Sequence, residues 1–123
     1  MSDMVTTVAE LRRLVSVFVE ERDWRQFHDA KNLSMSLAIE AAELMEHFQW
    51  LRSEELDGRL SDDGLRRQVA EEMADVGCYL LALANALEID LSAAIRGKIL
   101  ANAERYPVEL SRGRADRPEV SGD

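Results

Sequence analysis

Two pairs of acidic residues lie inside apolar segments of the sequence, and their spacing suits metal binding. Glu40 and Glu43 fall within SLAIEAAELMEHF, and Glu72 and Asp75 fall within VAEEMADVGCYLLALA. Carboxylates three residues apart share one face of a helix, where like charges repel each other unless a cation lies between them. Two such faces brought together would supply an all-oxygen ligand set for a hard divalent cation.

A solvent-exposed acidic stripe is the alternative, because a chain with 24 Asp and Glu among 123 residues contains several such pairs by chance. The apolar setting favours the metal site, since unpaired charge is costly to bury. No Lys or Arg lies between Lys31 and Arg52 to balance the first pair. A di-iron bundle would need Glu-x-x-His on two helices, and neither His28 nor His47 follows a Glu by three. Mg²⁺ is therefore the favoured ion.

Composition limits the kinds of partner. The formal net charge is −9, whereas binding a nucleic acid polymer requires basic surface that neutralises phosphate, so we expect no nucleic acid and no anionic membrane partner. Arg, Glu or Asp interrupts each apolar stretch before it reaches membrane-spanning length. The N-terminus lacks the pattern of a secretion signal, and the single Cys78 allows no internal disulfide. These features predict a cytoplasmic protein.

The sequence predicts an all-α fold. Ala, Leu, Glu and Arg dominate and β-branched runs are missing, which favours helices. Hydrophobic spacing predicts four main helices, over about 7–21, 33–51, 61–87 and 90–105. Asp90 and the residues from Ser61 to Asp63 suit helix N-caps. We expect one folded domain over residues 1–108 and a disordered tail over 109–123, where hydrophobic periodicity is lost.

Both acid-bearing helices are apolar on more than one face, as Ile39, Leu44 and Phe48 show around the first pair. A helix that is hydrophobic nearly all round belongs in a core, and one small subunit can hardly cover two of them. We therefore expect self-association, which would bury carboxylates from facing helices as metal-binding bundles do.

Aromatic residues near the acids form a second group of candidates. The irregular segment DWRQFHDAKN carries Trp24 and His28. Their side chains either stack against a base or pack as hydrophobic filling at a helix junction. Trp50, at the end of the first acidic helix, has the same two interpretations. Tyr79 follows Asp75 by one helical turn, so the two share a face and Tyr79 would approach whatever the metal holds.

Basic and amide residues recur on the fourth predicted helix. Lys98, Asn102 and Arg105 lie at positions i, i+4 and i+7, where they would present donors to phosphate oxygens. A solvated helix face is the alternative, since cations near a helix C-terminus also suit its dipole. Cys78 has apolar neighbours and is expected in the core. No Gly-rich phosphate loop, Ser-His-Asp set or zinc spacing is present in the sequence.

Four segments together resemble the MazG-like all-α nucleotide pyrophosphohydrolase superfamily, and most closely its dCTP pyrophosphatase branch. They are ERDWRQFHDAKNL, EAAELMEHFQW, EEMADVGCYLLALA and KILANAERYP. The resemblance implies a MazG-like helical bundle with four main helices per subunit, whose four-helix core is completed in a homodimer or homotetramer. It also implies Mg²⁺-dependent cleavage of a nucleoside triphosphate to monophosphate and pyrophosphate.

The resemblance also implies roles for individual residues. The metal ligands and catalytic acids would be Glu40, Glu43, Glu72 and Asp75. The residues bordering the nucleotide would be Trp24, His28, Trp50 and Tyr79, with Lys98, Asn102 and Arg105 on the phosphate side.

The sequence departs from the dCTP branch at two positions. The branch often has a His in its first helix, in a stretch like RRLHxEF, where this sequence has RRLVSVF and therefore Val15. Lys31 stands where an Arg usually precedes Asn-Leu. The first departure concerns contacts to the base or between subunits, and neither affects the predicted metal ligands.

The function predicted from the sequence is hydrolysis of dCTP or a modified dCTP to monophosphate and pyrophosphate. Two alternatives remain open. One is the same chemistry on dUTP or on a broad set of triphosphates, and the other is a non-catalytic helical module whose apolar faces serve assembly.

Overall fold

The protein is helical throughout the part of the chain that the structure, a computed structural model, describes, residues 1–116. The helices are α1 (Val8–Glu21), α2 (Ala30–Glu46), α3 (Leu56–Leu60), α4 (Asp63–Leu87), α5 (Leu91–Arg105) and α6 (Val108–Ser111), with 3₁₀ turns at Arg25–Phe27 and Ser53–Glu55. No strand occurs within residues 1–116. The predicted all-α fold with four main helices is confirmed.

Side-chain caps set the starts of the long helices. At α1 the Thr7 hydroxyl accepts a hydrogen bond from the Glu10 N–H at 3.1 Å, and the Glu10 carboxylate accepts one from the Thr7 N–H at 2.8 Å. This capping box satisfies two backbone donors at once. Asp62 accepts from the Gly64 N–H at the start of α4, and Asp90 accepts from the Ala93 N–H at the start of α5. Both predicted N-caps are confirmed.

Helix α2 differs from the predicted span of about 33–51 at both ends. It begins at Ala30 because Asp29 is its N-cap and accepts a hydrogen bond from the Asn32 N–H at 2.8 Å. It ends at Glu46, after which the chain tightens into turns, with the Phe48 N–H donating to the Met45 carbonyl at 2.9 Å. The connection between α2 and α4 contains the 3₁₀ turn and the short helix α3.

Residues 1–88 form one compact unit, and a second begins at Ile89. In the first unit α2 packs along α4 over the most extensive contact between helices, and α1 packs against another part of α4. Leu33 of α2 is only 1% exposed, and Val19 of α1 is also buried. Ala82 and Ala84 are buried on α4, where small side chains let neighbouring helices approach closely.

A reciprocal set of hydrogen bonds fixes α1 against α4. The Arg12 Nε donates to Asn85 Oδ1 at 2.9 Å, and the Asn85 Nδ2 donates to the Arg12 carbonyl at 3.0 Å. Arg12 Nη2 also donates to the Ala84 carbonyl at 3.0 Å. These bonds are partly buried, so losing one partner would leave polar groups without compensation.

The predicted tail lies only partly within the described residues. Val108–Ser111 forms the short helix α6, and the Arg114 N–H donates to the Ser111 carbonyl at 3.0 Å. Residues 117–123 lie outside the described part of the chain. The predicted division at residue 108 stays a prediction.

Within residues 1–116, no helix taken singly combines the length and apolar character needed to cross a membrane. The pair α4 and α5 meets that requirement only when the two are counted together, by length and composition alone.

We expect Asn85→Leu to lower the free energy of unfolding by about 1–3 kcal/mol, because it removes the acceptor of the Arg12 Nε hydrogen bond and the donor to the Arg12 carbonyl at a partly buried contact. Urea denaturation followed by circular dichroism measures the change. Gln68→Leu, which alters an exposed amide on the same helix, is the control and should stay within about 0.5 kcal/mol of wild type. Equal effects of the two substitutions would contradict the structural role of Asn85.

Candidate metal site and adjoining cleft

The packing of α2 along α4 brings three carboxylates together. Glu40 and Glu43 project from α2 and Glu72 from α4, and one oxygen from each lies within 4.8 Å of the others. Like charges this close repel strongly when water is partly excluded. The predicted meeting of the two acidic pairs is therefore observed for three of the four residues.

Two oxygens in this cluster are buried without a hydrogen-bond partner. They are Oε2 of Glu40 and Oε2 of Glu72, although both residues are only half-buried overall. A buried carboxylate oxygen normally accepts a hydrogen bond or binds a metal. Oxygen donors, excess negative charge and two unsatisfied lone-pair sites together fit a divalent cation.

The cluster also changes the protonation of Glu40. Burial raises the pKa of Glu40 from 4.5 to about 7, and hydrogen bonding with Glu43 and the charges of Glu43, Asp75 and Glu72 act in the same direction. Without a metal, the protein therefore relieves part of the repulsion by holding a proton on Glu40 near neutral pH. A divalent cation would compete with that proton.

Asp75 lies one helical turn after Glu72 on α4 but stands outside the group of three carboxylates. It is exposed, yet its charge contributes to the raised pKa of Glu40. Asp75 also lines the neighbouring cleft, so it lies between the cluster and that cleft.

His47 lies beside the cluster, a proximity that did not follow from the sequence. Its Nε2 is 3.8 Å from Oε1 of Glu72, with both side chains 22% exposed. His47 is the C-cap residue of α2, one turn beyond Glu43 and on the same face of the helix. His47 is not part of a Glu-x-x-His pair, but the series 40, 43, 47 places it on the same helix face as the two acids.

A cleft of about 430 Å³ adjoins the cluster at Asp75. Its wall is formed by α1, α4 and the segment between α1 and α2. The lining residues are Leu14, Val15, Phe18, Val19, Trp24, His28, Asp75, Cys78, Tyr79 and Ala82. The structure thus brings Trp24, His28 and Tyr79 together, three of the four aromatic candidates from the sequence.

Aromatic contacts order one side of this cleft. The Trp24 ring meets the Phe18 ring edge to face, with centroids 5.7 Å apart, and lies 6.4 Å from the His28 ring. The Arg22 guanidinium covers the Phe18 ring at 3.7 Å. Asp23, with φ 53°, turns the chain sharply after α1 and so directs Trp24 back towards that helix.

The expectation that Cys78 lies in the core is wrong. Cys78 is exposed and lines the cleft, because the apolar residues around it in sequence point to several faces of α4. Burial around the thiol, and then the charge of Asp75, raise its pKa. The thiol therefore stays protonated at neutral pH and is a poor nucleophile.

The remaining candidates are not part of this cluster or cleft as described. Trp50 follows α2 and is 87% exposed. Lys98, Asn102 and Arg105 lie on α5 in the second unit, where the Arg105 guanidinium lies 5.7 Å from the Tyr106 ring centroid. Their roles in binding stay predictions.

A model of the MazG-like family matches residues 35–117 of the sequence. This chain belongs to the MazG-like family. Its curated relatives include dCTP pyrophosphatase 1 of Bos taurus, 43% identical over 109 residues, and of Homo sapiens, 41% identical over 110 residues. The matches cover 89% and 86% of this chain but only 64% and 62% of those relatives. The chain therefore spans less than two thirds of their length.

A similar solved structure supports the same assignment. The crystal structure of a pyrophosphatase from Archaeoglobus fulgidus aligns with a TM-score of 0.77 and 37% sequence identity. The alignment covers 87% of this chain and 98% of the archaeal one. The resemblance stated from the sequence motifs is confirmed at the level of family and fold.

We expect the metal-free protein to lose stability as pH rises from 4.5 to about 7, the interval that the raised pKa of Glu40 defines. The folded state binds more protons than the unfolded state in this interval, so the free energy of unfolding falls with pH. Urea denaturation in the presence of a chelator, repeated across this pH range, measures the slope. Glu40→Gln should flatten it, whereas Glu46→Gln, at an exposed position of the same helix, should not. Identical slopes for both variants would show that Glu40 titrates normally.

Proposed function

We propose that this chain is a Mg²⁺-dependent nucleoside triphosphate pyrophosphohydrolase that releases a nucleoside monophosphate and pyrophosphate. The observation that carries the proposal is the continuity of the carboxylate cluster with the aromatic cleft through Asp75. A nucleoside triphosphate needs cationic charge beside its phosphates and an apolar surface on which its base can stack. The names of the relatives support the same chemistry, since they are pyrophosphatases.

In this proposal Glu40, Glu43, Glu72 and Asp75 hold the metal. The bound ion would supply charge neutralisation and Lewis-acid stabilisation of the phosphoryl group under attack. Glu40 or Glu43 orients the attacking water or takes its proton. No covalent intermediate is required, and the protonated Cys78 thiol is unsuited to forming one.

The base lies, in this proposal, in the cleft with Trp24, His28 and Tyr79. Aromatic rings stack on any base and give affinity with little discrimination. Val15 also lines the cleft and offers no hydrogen bond to a base edge, so hydrogen bonds to the base would come from His28, Trp24 or Tyr79. We propose dCTP or a 5-modified dCTP as substrate, following the named activity of the relatives, with dUTP or a broad set as the alternative.

The proposed roles of Trp50, Lys98, Asn102 and Arg105 rest on the sequence motifs alone. Lys98, Asn102 and Arg105 would donate hydrogen bonds to phosphate oxygens, and Trp50 would contact the base or sugar.

Replacing single acids should abolish pyrophosphate release without unfolding the protein. We expect Glu43→Gln and Glu72→Gln each to lower kcat/KM by at least about 100-fold at saturating Mg²⁺, because each removes a ligand oxygen and a charge. Glu46→Gln and Glu71→Gln are matched controls, since they remove neighbouring exposed carboxylates of the same helices. A coupled assay for pyrophosphate measures all four. Turnover of Glu43→Gln equal to that of Glu46→Gln would exclude the metal assignment.

A screen of base analogues tests the substrate. We expect pyrophosphate release to be fastest with dCTP or 5-methyl-dCTP and slower with dUTP, dTTP and purine triphosphates. Values of kcat/KM from the pyrophosphate assay rank the substrates. Equal rates on all of them would reject the cytosine preference and leave the pyrophosphohydrolase intact. No turnover of any triphosphate, with no thermal shift by Mg²⁺ and nucleotide, would instead favour a non-catalytic assembly module.

We further propose that the chain forms a homodimer or homotetramer. The two helices that carry the carboxylate cluster also carry large apolar side chains that are more than half exposed, namely Ile39 and Met45 on α2 and Met73 on α4. Large exposed apolar side chains on central helices favour an assembly surface. Light scattering after size-exclusion chromatography should give two or four times the 13.9 kDa chain mass. A monomer at every concentration would contradict this proposal.

A further inference from the structure

Arg22 lies on the aromatic side of the cleft without lining the cleft itself. Its guanidinium carbon lies 3.7 Å from the centre of the Phe18 ring, and Phe18 and Trp24 both line the cleft. Among residues 1–116, Arg22 is not one of the lining residues. Apart from the effect of its charge, Arg22 can therefore act on a ligand in the cleft only through Phe18.

Two contacts join Arg22 to Phe18. Besides covering the ring, Arg22 donates a hydrogen bond from Nη1 to the Phe18 carbonyl at 3.1 Å. Carbonyls in the last turn of a helix lack backbone partners, and a cationic side chain near the helix end can satisfy them. The hydrogen bond fixes the guanidinium to the backbone of α1, and the fixed guanidinium then holds the ring by a cation–π contact.

The ion pair of Arg22 is weaker than these two contacts. Nη1 of Arg22 lies 3.8 Å from Oε2 of Glu21, and the two side chains are 43% and 68% exposed. Exposed ion pairs contribute little to stability. Phe18, and not Glu21, therefore supplies the contacts that set the position of the guanidinium.

The rings of Phe18 and Trp24 need this support because packing leaves both of them partly in solvent. Phe18 is 48% exposed and Trp24 is 42% exposed. The Trp24 backbone is held, since its N–H donates to the Val19 carbonyl at 3.0 Å. The Trp24 ring rests edge to face against the Phe18 ring, with centroids 5.7 Å apart. Loss of the guanidinium would free the Phe18 ring and remove this fixed surface.

We propose that Arg22 is a positioning residue for base binding, which holds Phe18 and thereby keeps the Trp24 ring in the orientation that receives a base. The inference rests on the proposed function for the presence of a base in the cleft, but it concerns a residue outside the cleft. A ring that is already ordered stacks on a base without the entropic cost of immobilising a side chain during binding. The affinity for the nucleotide, and not the chemical step, should therefore depend on Arg22.

The order of the Trp24 ring can be measured without nucleotide. The chain has two tryptophans, so Trp50→Phe leaves Trp24 as the only fluorescent indole. In this background we expect Arg22→Gln to increase the fast local component of the time-resolved fluorescence anisotropy. Arg22→Lys keeps the charge but not the planar stack, so its anisotropy should fall between those of Arg22→Gln and Arg22. Arg13→Gln, which removes an exposed arginine elsewhere on α1, should cause no change.

Pyrophosphate release from dCTP measures the consequence for the substrate. We expect Arg22→Gln to raise KM by about 2- to 5-fold, which is the strength of one exposed cation–π contact. It should retain kcat, because stacking on the base is the same in the ground state and the transition state. Arg13→Gln changes the net charge by the same amount, so the difference in KM between the two variants excludes a general effect of charge on an anionic substrate.

Two results would overturn the proposal. One is the same Trp24 anisotropy in Arg22→Gln and Arg13→Gln, and the other is the same KM in those two variants. Far-ultraviolet circular dichroism should show equal helix content in all variants, since Arg22 is exposed just after the end of α1. Absence of pyrophosphate release by the wild type would instead refute the proposed function, and the anisotropy would still decide whether Arg22 orders Trp24.

Discussion

The repulsion among carboxylates at the α2–α4 contact is the constraint on which the rest of the structure depends. The two helices pack most extensively with each other, and Glu40, Glu43 and Glu72 meet there. Charge in a partly buried contact must be neutralised by a proton, a nearby cation or a metal ion. The raised pKa of Glu40 is the first of these responses within the chain itself. A metal ion, the third, would fit the two buried carboxylate oxygens that have no hydrogen-bond partner, Oε2 of Glu40 and Oε2 of Glu72.

N-capping side chains made the starts of α4 and α5 predictable from the sequence, but neither end of α2 was predicted correctly. Asp90 and the segment around Asp62 were identified because an N-cap needs only one side chain and the backbone that follows it. Asp29 has the same chemistry, yet it lies within an aromatic, irregular segment that we interpreted as a short helical turn followed by a loop. Beyond Glu46 the sequence stays apolar while the backbone changes to turns, since hydrophobicity reports burial and does not by itself report helical geometry.

The site was predictable to the extent that it depends on spacing along one helix. Glu40 and Glu43 share a face whatever the neighbouring helix does. The distance of Asp75 from the cluster, and the approach of His47 to Glu72, depend on the register between α2 and α4, which no single-helix pattern contains. Cys78 was misassigned for a related reason: apolar neighbours in sequence do not show where a cleft opens beside the helix.

Asp75 contributes to two sites: it lines the aromatic cleft, and its charge acts on Glu40 in the carboxylate cluster. A charged ligand in the cleft would act on Asp75 and, through its charge, on the carboxylates. A cation bound among the carboxylates would in turn change the electrostatic potential in the cleft. Coupling between binding equilibria is reciprocal, so each ligand alters the other's affinity by the same factor. The stretch of α4 from Glu72 to Tyr79 would thus couple metal binding at the carboxylates to ligand binding in the cleft. The affinity of either site would then have to be quoted together with the occupancy of the other site.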